Sequence, residues 1–248
     1  MLAQQPVAFL ATLIALALYR PSSPTSAALA WGALSGIGNG FGTVAHYRGL
    51  ALGRMSVVAS VSAILAAFIP AAVGIAIGER LSGPEAAGMI LAAPAIVLVS
   101  LQSTPDAGKR SGVMEGLAAG AGFALFFVAL DRAGTASGAW PLLPGQIVTL
   151  GISVPLGLRM SREQGRRREA IPYGAAAGAL GALATISFFG ATGQGDLSLV
   201  AVLTALYPAV TIVLARVVIG ERWERLQGAG LVAAAASVFL ISLGSVRQ

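Results

Sequence analysis

The chain has 248 residues, of which 56% are hydrophobic and only 10% are charged, and its mean hydropathy is +0.81. An ordinary soluble domain carries about 25% charged residues, so this composition excludes a soluble enzyme, a disordered chain and a nucleic-acid-binding protein. The formal charge of +6 comes from basic residues in short links between apolar segments, where such residues report membrane orientation. The composition therefore predicts an integral membrane protein with many helical spans.

Nine apolar segments are each long enough to cross a bilayer, which takes about 20 residues. The predicted helices cover residues 2–19, 28–50, 55–77, 85–102, 112–130, 138–159, 171–191, 197–219 and 226–244. The 32 glycines favour close packing between neighbouring helices in lipid. Because the chain has no cysteine and one histidine, thiolate and clustered imidazole metal sites are excluded, and we expect no cofactor and no metal.

The strongest feature of the sequence is an internal repeat. Residues 53–101 align with residues 195–243 without a gap, at a constant offset of 142 residues. Within this alignment Ile-Gly-Glu-Arg at 77–80 returns unchanged at 219–222. We therefore predict two repeats, over residues 1–102 and 111–245.

The second predicted repeat contains five helices and the first contains four. The offset places the partner of helix 112–130 before Met1, so we expect that a leading helix is missing from this chain; a protein that works with nine helices is the alternative. Five helices per repeat invert one repeat relative to the other in the membrane. Assigning alternate links to the two sides puts 12 lysines and arginines on one side and 4 on the other, and the richer side is expected to be cytoplasmic.

The repeated motifs resemble the drug/metabolite transporter superfamily, in its EamA-like branch. They are two Ser-x-Val-Ala helix starts at Ser56 and Ser198, two Ile-Gly-Glu-Arg corners, and the glycines Gly88 and Gly230. The resemblance implies an all-α membrane protein with ten helices in two inverted five-helix repeats, about nine of which are present here, surrounding a central cavity. It also implies alternating access and transport of amino acids, other metabolites, nucleotide sugars or drugs, often as export.

Polar residues near the middle of predicted helices are the candidates for substrate binding. Asn39 is one, because an unpaired amide in lipid is costly and must face protein or a cavity; an interhelical hydrogen bond is the alternative. His46 and Tyr47 lie two turns further along the same helix, where an interfacial position beside Arg48 is the alternative.

The two repeated helices that begin at Ser56 and Ser198 supply further candidates. They are Ser60, Ser62, Thr204 and Tyr207, of which Ser62 and Thr204 are equivalent positions of the repeat. Packing is the alternative, since serine and threonine can bond to the backbone one turn back. Pro70 and Pro208 are expected to kink these helices, and Ser187 with the two following phenylalanines is a candidate wall.

No acidic residue lies clearly at the centre of a predicted helix, which weakens a simple proton-exchange mechanism. Glu79 and Glu221 are expected to cap the next helix or to pair with the arginines that follow them. Because no strong counter-charge is found for a charged substrate, a neutral, zwitterionic or amphipathic compound fits best.

The sequence therefore favours a secondary transporter that exports a small metabolite across the inner (plasma) membrane of a bacterial-type cell. It is not expected to be an enzyme, and its partners are membrane lipid and a small-molecule substrate, with no nucleic acid. A membrane subunit or lipid flippase component that needs a partner chain is the alternative, and homodimerisation is left open. An intramembrane lipid-modifying enzyme is less favoured, because one histidine and acids outside the helix centres supply little catalytic machinery.

Overall fold

The computed structural model describes residues 4–18, 23–101, 111–164, 171–214, 216–217 and 224–245. Ten α-helices lie within these residues. They are α1 (Gln4–Leu18), α2 (Ser26–Leu52), α3 (Met55–Ala76), α4 (Gly83–Ser100), α5 (Val113–Ala133), α6 (Leu142–Gln164), α7 (Ile171–Thr192), α8 (Leu197–Ala205), α9 (Tyr207–Leu214) and α10 (Arg225–Ser245). The predicted all-α membrane fold is confirmed.

Seven segments of the described chain are long and apolar enough to span a bilayer. Five of them are α3, α4, α5, α7 and α10; the sixth is most of α6, and the seventh runs through α8 and α9 together. α1 is a shorter apolar helix of 15 residues. α2 has 27 residues, but its glycines and polar side chains lower its hydropathy. The nine spans predicted from the sequence therefore include one helix that is shorter, α1, and one that is less apolar, α2.

The span predicted over residues 197–219 is divided at Leu206 into α8 and α9, which together form one apolar segment, and the division lies beside Pro208, where a kink was expected. Pro208 has no N–H to donate to the carbonyl of Thr204, and its ring would clash with that carbonyl. The chain makes tighter bonds there, from Leu206 N to Leu203 O (3.3 Å) and from Ala209 N to Leu206 O (2.9 Å). In contrast, Pro70 lies inside α3, which continues through it.

The chain divides into two compact units that do not follow the predicted repeats. The first unit consists of Met1–Val44 and Leu125–Gly195, and the second of Ala45–Ala124 and Asp196–Gln248. The boundaries fall inside α2 and α5, so each unit takes segments from both halves of the sequence. The assignment of the two sequence repeats as domains stays a prediction.

In the first unit, small residues bring the helix backbones together. A side chain at Gly32 would collide with the carbonyl of Pro141, and one at Gly36 would collide with that of Gly145, so α2 and α6 are in backbone contact at both points. α1 packs against α7 and α6. Close approach of this kind is how helices associate where lipid supplies no hydrophobic driving force.

In the second unit, α4 packs along α10 and α3 packs along α8 around an alanine-rich core. The buried Ser237 hydroxyl of α10 donates to the carbonyl of Gly88 on α4 at 2.7 Å, and the Gln227 amide donates to the carbonyl of Leu101 at 3.0 Å. Interhelical hydrogen bonds and small residues thus hold these two helices together.

Helix capping in this unit differs from the expectation for Glu79. The next helix, α4, is instead capped by a reciprocal pair of Ser82 and Glu85. The Glu79 carboxylate accepts from the backbone N–H groups of Leu197 (2.8 Å) and Ser198 (3.0 Å), which begin α8. Glu79 therefore caps a helix, as expected, but not the next one along the chain. Glu221 lies outside the described residues.

Candidate functional site

The first unit encloses a small polar cavity among five helices. Its volume is about 110 Å³. Its polar lining residues are Gln4, Gln5, Thr12, Ser35, Asn39, Thr43, Gln146, Thr149 and Thr185, and its larger apolar ones are Phe126, Leu130 and Leu142. The cavity is smaller and more polar than a typical drug-sized pocket, and its converging polar groups are suited to a small hydrogen-bonding molecule.

Two glycines of α7 let the start of α1 reach the cavity. A side chain at Gly178 would collide with the carbonyl of Gln4, so the two backbones touch there. At Gly181 an added methyl group would lie 3.7 Å from the Gln4 amide nitrogen. A larger residue at Gly178 would therefore push α1 away and remove its two glutamines from the wall.

Asn39 stands at the centre of a directed chain of hydrogen bonds. Its amide nitrogen donates to the Thr149 hydroxyl at 3.5 Å, and that hydroxyl donates to the carbonyl of Gly36 at 3.2 Å. Its carbonyl oxygen accepts from the Thr43 hydroxyl at 3.4 Å. The expectation that Asn39 faces protein or a cavity is confirmed, and its role in substrate binding stays a prediction.

The other polar walls are also held by hydrogen bonds. The Gln146 amide on α6 donates to the Gln5 carbonyl oxygen on α1 at 3.2 Å, and Gln5 is only 4% exposed. Thr12 donates to the carbonyl of Ala8 at 3.0 Å, and Ser35 donates to that of Gly32 at 2.7 Å. The side chains are therefore fixed in place before any ligand enters.

No lining residue of this described cavity is charged. Carboxamides and hydroxyls recognise uncharged hydrogen-bonding groups, whereas an ion without a counter-charge would lose its hydration at high cost. Among the described residues no three His, Asp or Glu side chains are placed together to hold a metal ion. The arrangement is thus suited to binding and offers no acid–base pair for catalysis.

A second group of candidate residues meets in the second unit. The His46 ring lies 3.4 Å from the Ser62 hydroxyl through its Nδ1 atom, and the Tyr207 side chain lies next to that of Ser62. Phe123 and Tyr47 flank the His46 ring at centroid distances of 5.9 and 6.4 Å. Four of the predicted residues, namely His46, Tyr47, Ser62 and Tyr207, are therefore neighbours, and we call them the His46 cluster.

The remaining candidates belong to neither group. Ser60 donates to Ser56 O at 2.8 Å and Thr204 donates to Val200 O at 2.7 Å, each within its own helix. Ser187 is exposed on α7 and does not line the cavity. Its neighbour Phe188 is buried and stacks on Phe127 at 4.4 Å. Substrate binding by Ser60, Thr204 and Ser187 stays a prediction without a contact that favours it.

Sequence reasoning missed most of the cavity, although a local signal was present. Gln5, Ala8 and Thr12 follow the i, i+3, i+7 spacing of one helix face, and Ser35, Asn39 and Thr43 follow i, i+4, i+8. Polar residues repeated on one face of an apolar helix indicate a face turned away from lipid. Which faces converge could not be read from the sequence, because the helices that meet are far apart along the chain.

Comparison with known proteins identifies relatives by sequence profile and by fold. Residues 110–243 match the family model of the EamA-like transporter family. No curated protein matches the chain in sequence. A crystal structure of a protein with 16% sequence identity superposes with a TM-score of 0.68, covering 99% of this chain and 86% of that one. At this identity the similarity establishes the fold alone.

Proposed function

The chain belongs to the EamA-like transporter family and is a membrane transporter, and on that premise we propose that it exports a small uncharged metabolite. The observation that carries the proposal is the cavity of the first unit, which is polar, preorganised and lined by no charged side chain. A transporter must replace the hydration shell of its substrate while the substrate crosses the bilayer. The uncharged carboxamide and hydroxyl groups of this cavity can replace the hydrogen bonds that a neutral compound makes to water.

The transport cycle in this proposal is alternating access without nucleotide hydrolysis, in which the two sequence repeats rock around the bound substrate. The break between α8 and α9 supports it, because discontinuous helices are a recurrent feature of secondary transporters. The chain has no Walker motif, so ATP binding through a P-loop is not part of the proposal. The membrane is the inner membrane of a bacterial-type cell, as the sequence analysis predicts.

Two groups of residues are proposed to contact the substrate on its path. The first group lines the cavity of the first unit and includes Asn39; the second group is the His46 cluster of the second unit. Tyr207 is notable because it begins α9 directly after the helix break. Ser60 and Thr204 are weaker candidates for substrate contact because their hydroxyls bond within their own helices, and Ser187 is weaker because it does not line the cavity.

The test compares metabolites outside cells that express the unmutated chain, an Asn39→Leu variant or a Tyr207→Ala variant. We expect a small set of uncharged compounds to accumulate outside only with the unmutated chain. Gly151→Ala serves as the matched control, since an added methyl group there meets no atom within 4 Å. Membrane insertion of every variant is verified by fractionation.

Two results would contradict the proposal. Accumulation of the same compounds with Asn39→Leu would remove the cavity from the path. No compound accumulating outside with the inserted, unmutated chain would refute export, and an experiment with preloaded vesicles would then separate import from a subunit that requires a partner.

A further inference from the structure

We infer that the cavity of the first unit takes a small uncharged polyol with four or five carbons. This inference rests on the proposed function, since it names the substrate class of the same cavity. It is argued from the direction of the hydrogen bonds, the charge of the lining and the volume of the cavity.

Three buried hydroxyl groups of the lining have already used their protons. Thr12, Ser35 and Thr149 donate to the backbone carbonyls of Ala8, Gly32 and Gly36 at 3.0, 2.7 and 3.2 Å, and all three residues are buried. A hydroxyl has one proton and two lone pairs. What Thr12 and Ser35 offer a ligand is therefore acceptor capacity, and a ligand must bring O–H or N–H donors.

The pair of glutamines supplies a complementary donor and acceptor. Gln146 donates to Gln5 Oε1, which leaves the Gln5 amide nitrogen to donate and the Gln146 carbonyl oxygen to accept. A ligand hydroxyl matches such a wall, because it donates to one group and accepts from another. A polyol presents several such hydroxyls along one chain.

The uncharged lining of the cavity disfavours charged ligands, even those that carry many hydrogen-bond donors. An alkylammonium ion would find acceptors but no carboxylate, and an amino acid would in addition need a cation for its carboxylate, whereas no lining residue is charged. Burying an ion without a partner costs far more than burying a hydroxyl that keeps its hydrogen bonds. A neutral ligand is therefore selected.

The volume of the cavity limits the size of the neutral ligand. A single water needs about 10–15 Å³ of comparable volume, so 110 Å³ holds roughly seven to eleven non-hydrogen atoms. Erythritol has eight such atoms and xylitol has ten. Phe126, Leu130 and Leu142 supply the apolar part of the lining, against which the C–H groups of a polyol chain can pack.

The test measures binding of radiolabelled xylitol to the purified full chain in detergent, by equilibrium dialysis. We expect Thr12→Val to weaken binding about threefold to tenfold, the value of one hydrogen bond. Thr192→Val is the matched control: Thr192 also donates to its own helix backbone, at 3.1 Å from Phe189 O, but does not line the cavity. Thr12→Ser should restore binding, which separates loss of the oxygen from misfolding.

Competition decides the ligand class. Erythritol should displace xylitol, whereas alanine and propylammonium at the same concentration should not. Equal displacement by either charged compound, or unchanged binding in Thr12→Val, would overturn the polyol inference. In proteoliposomes, xylitol that binds without crossing the membrane would overturn transport and leave the ligand class standing. If the chain transports another solute and does not bind xylitol, the polyol inference is overturned and the proposed transport function stands.

Discussion

The carboxylate of Glu79 accepts a hydrogen bond of 2.8 Å from the backbone N–H of Leu197, 118 residues further along the chain. A second bond of 3.0 Å comes from Ser198 N, so one side chain satisfies two of the free donors at the start of α8. A negative charge is also favoured at the positive end of the helix dipole. The corner after α3 is thereby joined to the start of the helix against which α3 packs.

Removing this cap should destabilise the protein. We expect Glu79→Ala to lower the free energy of unfolding by about 1–2 kcal/mol, as the loss of a helix cap does, and Glu79→Gln to cost less, because it keeps an acceptor oxygen. Thermal unfolding in detergent measures both. Glu115→Gln is the control, since Glu115 lies in the first turn of its own helix, α5, and does not join two distant segments as Glu79 does. Equal melting temperatures for Glu79→Ala and the control would show that the cap contributes nothing.

The carboxyl of Asp196, just before α8, is expected to make stability depend on pH. Burial raises the pKa of Asp196 above its ordinary value of 3.8, and the neighbouring charges of Glu79 and Glu85 raise it further. The folded state therefore binds the proton more tightly than the unfolded state, so stability falls as the pH rises from 3.8 through the raised pKa. Above that window the ionised carboxylate is unfavourable in the folded protein.

Asp196→Asn removes this titration and should give a more stable protein at neutral pH. The advantage should shrink as the pH is lowered and vanish below 3.8, where Asp196 is protonated in both states. Unfolding of the two proteins between pH 3 and pH 7 measures the difference. A constant difference over the whole range would show that the variant acts through something other than ionisation.

The backbone contact between α2 and α6 should not tolerate a side chain. Gly36→Ala places a methyl group against the Gly145 carbonyl, so we expect a loss of about 1–3 kcal/mol in unfolding free energy, as overpacking produces. Gly151→Ala on the same α6 meets no neighbour, and it should be neutral or slightly stabilising because alanine favours a helix. The comparison uses thermal unfolding in detergent, and similar behaviour of the two variants would contradict the close contact.

The hydroxyl of Tyr207 should matter for transport, although Tyr207 is partly exposed. Tyr207→Phe removes the hydroxyl beside Ser62 and keeps the ring, so we expect efflux to fall by about threefold to tenfold, the value of one hydrogen bond. Tyr173→Phe is the matched control, because Tyr173 is 79% exposed at the start of α7. Efflux rates from cells with equal amounts of inserted protein are compared. Unchanged efflux in Tyr207→Phe would exclude this hydroxyl from the transport path.

Some features of the site could be predicted from the sequence of a single helix, and others could not. Asn39 could be selected from its own helix, because an amide in an apolar segment needs a partner wherever that helix packs. Gln5 and Thr12 carried the same signal on one face of α1 but were not selected. Proline alone did not decide where a helix divides: the chain is interrupted at Leu206 beside Pro208, as expected, whereas α3 continues through Pro70, where a kink was also expected.

The sequence alone determined that this protein is an all-α membrane protein of the EamA-like family, because hydropathy, glycine content and repeated motifs are properties of contiguous residues. The tertiary structure decided which polar faces meet. Asn39 finds Thr149 at a separation of 110 residues, and Gln146 finds Gln5 at 141. In lipid, pairing of helix faces depends on close backbone approach and on hydrogen bonds between distant residues, and no local pattern encodes either.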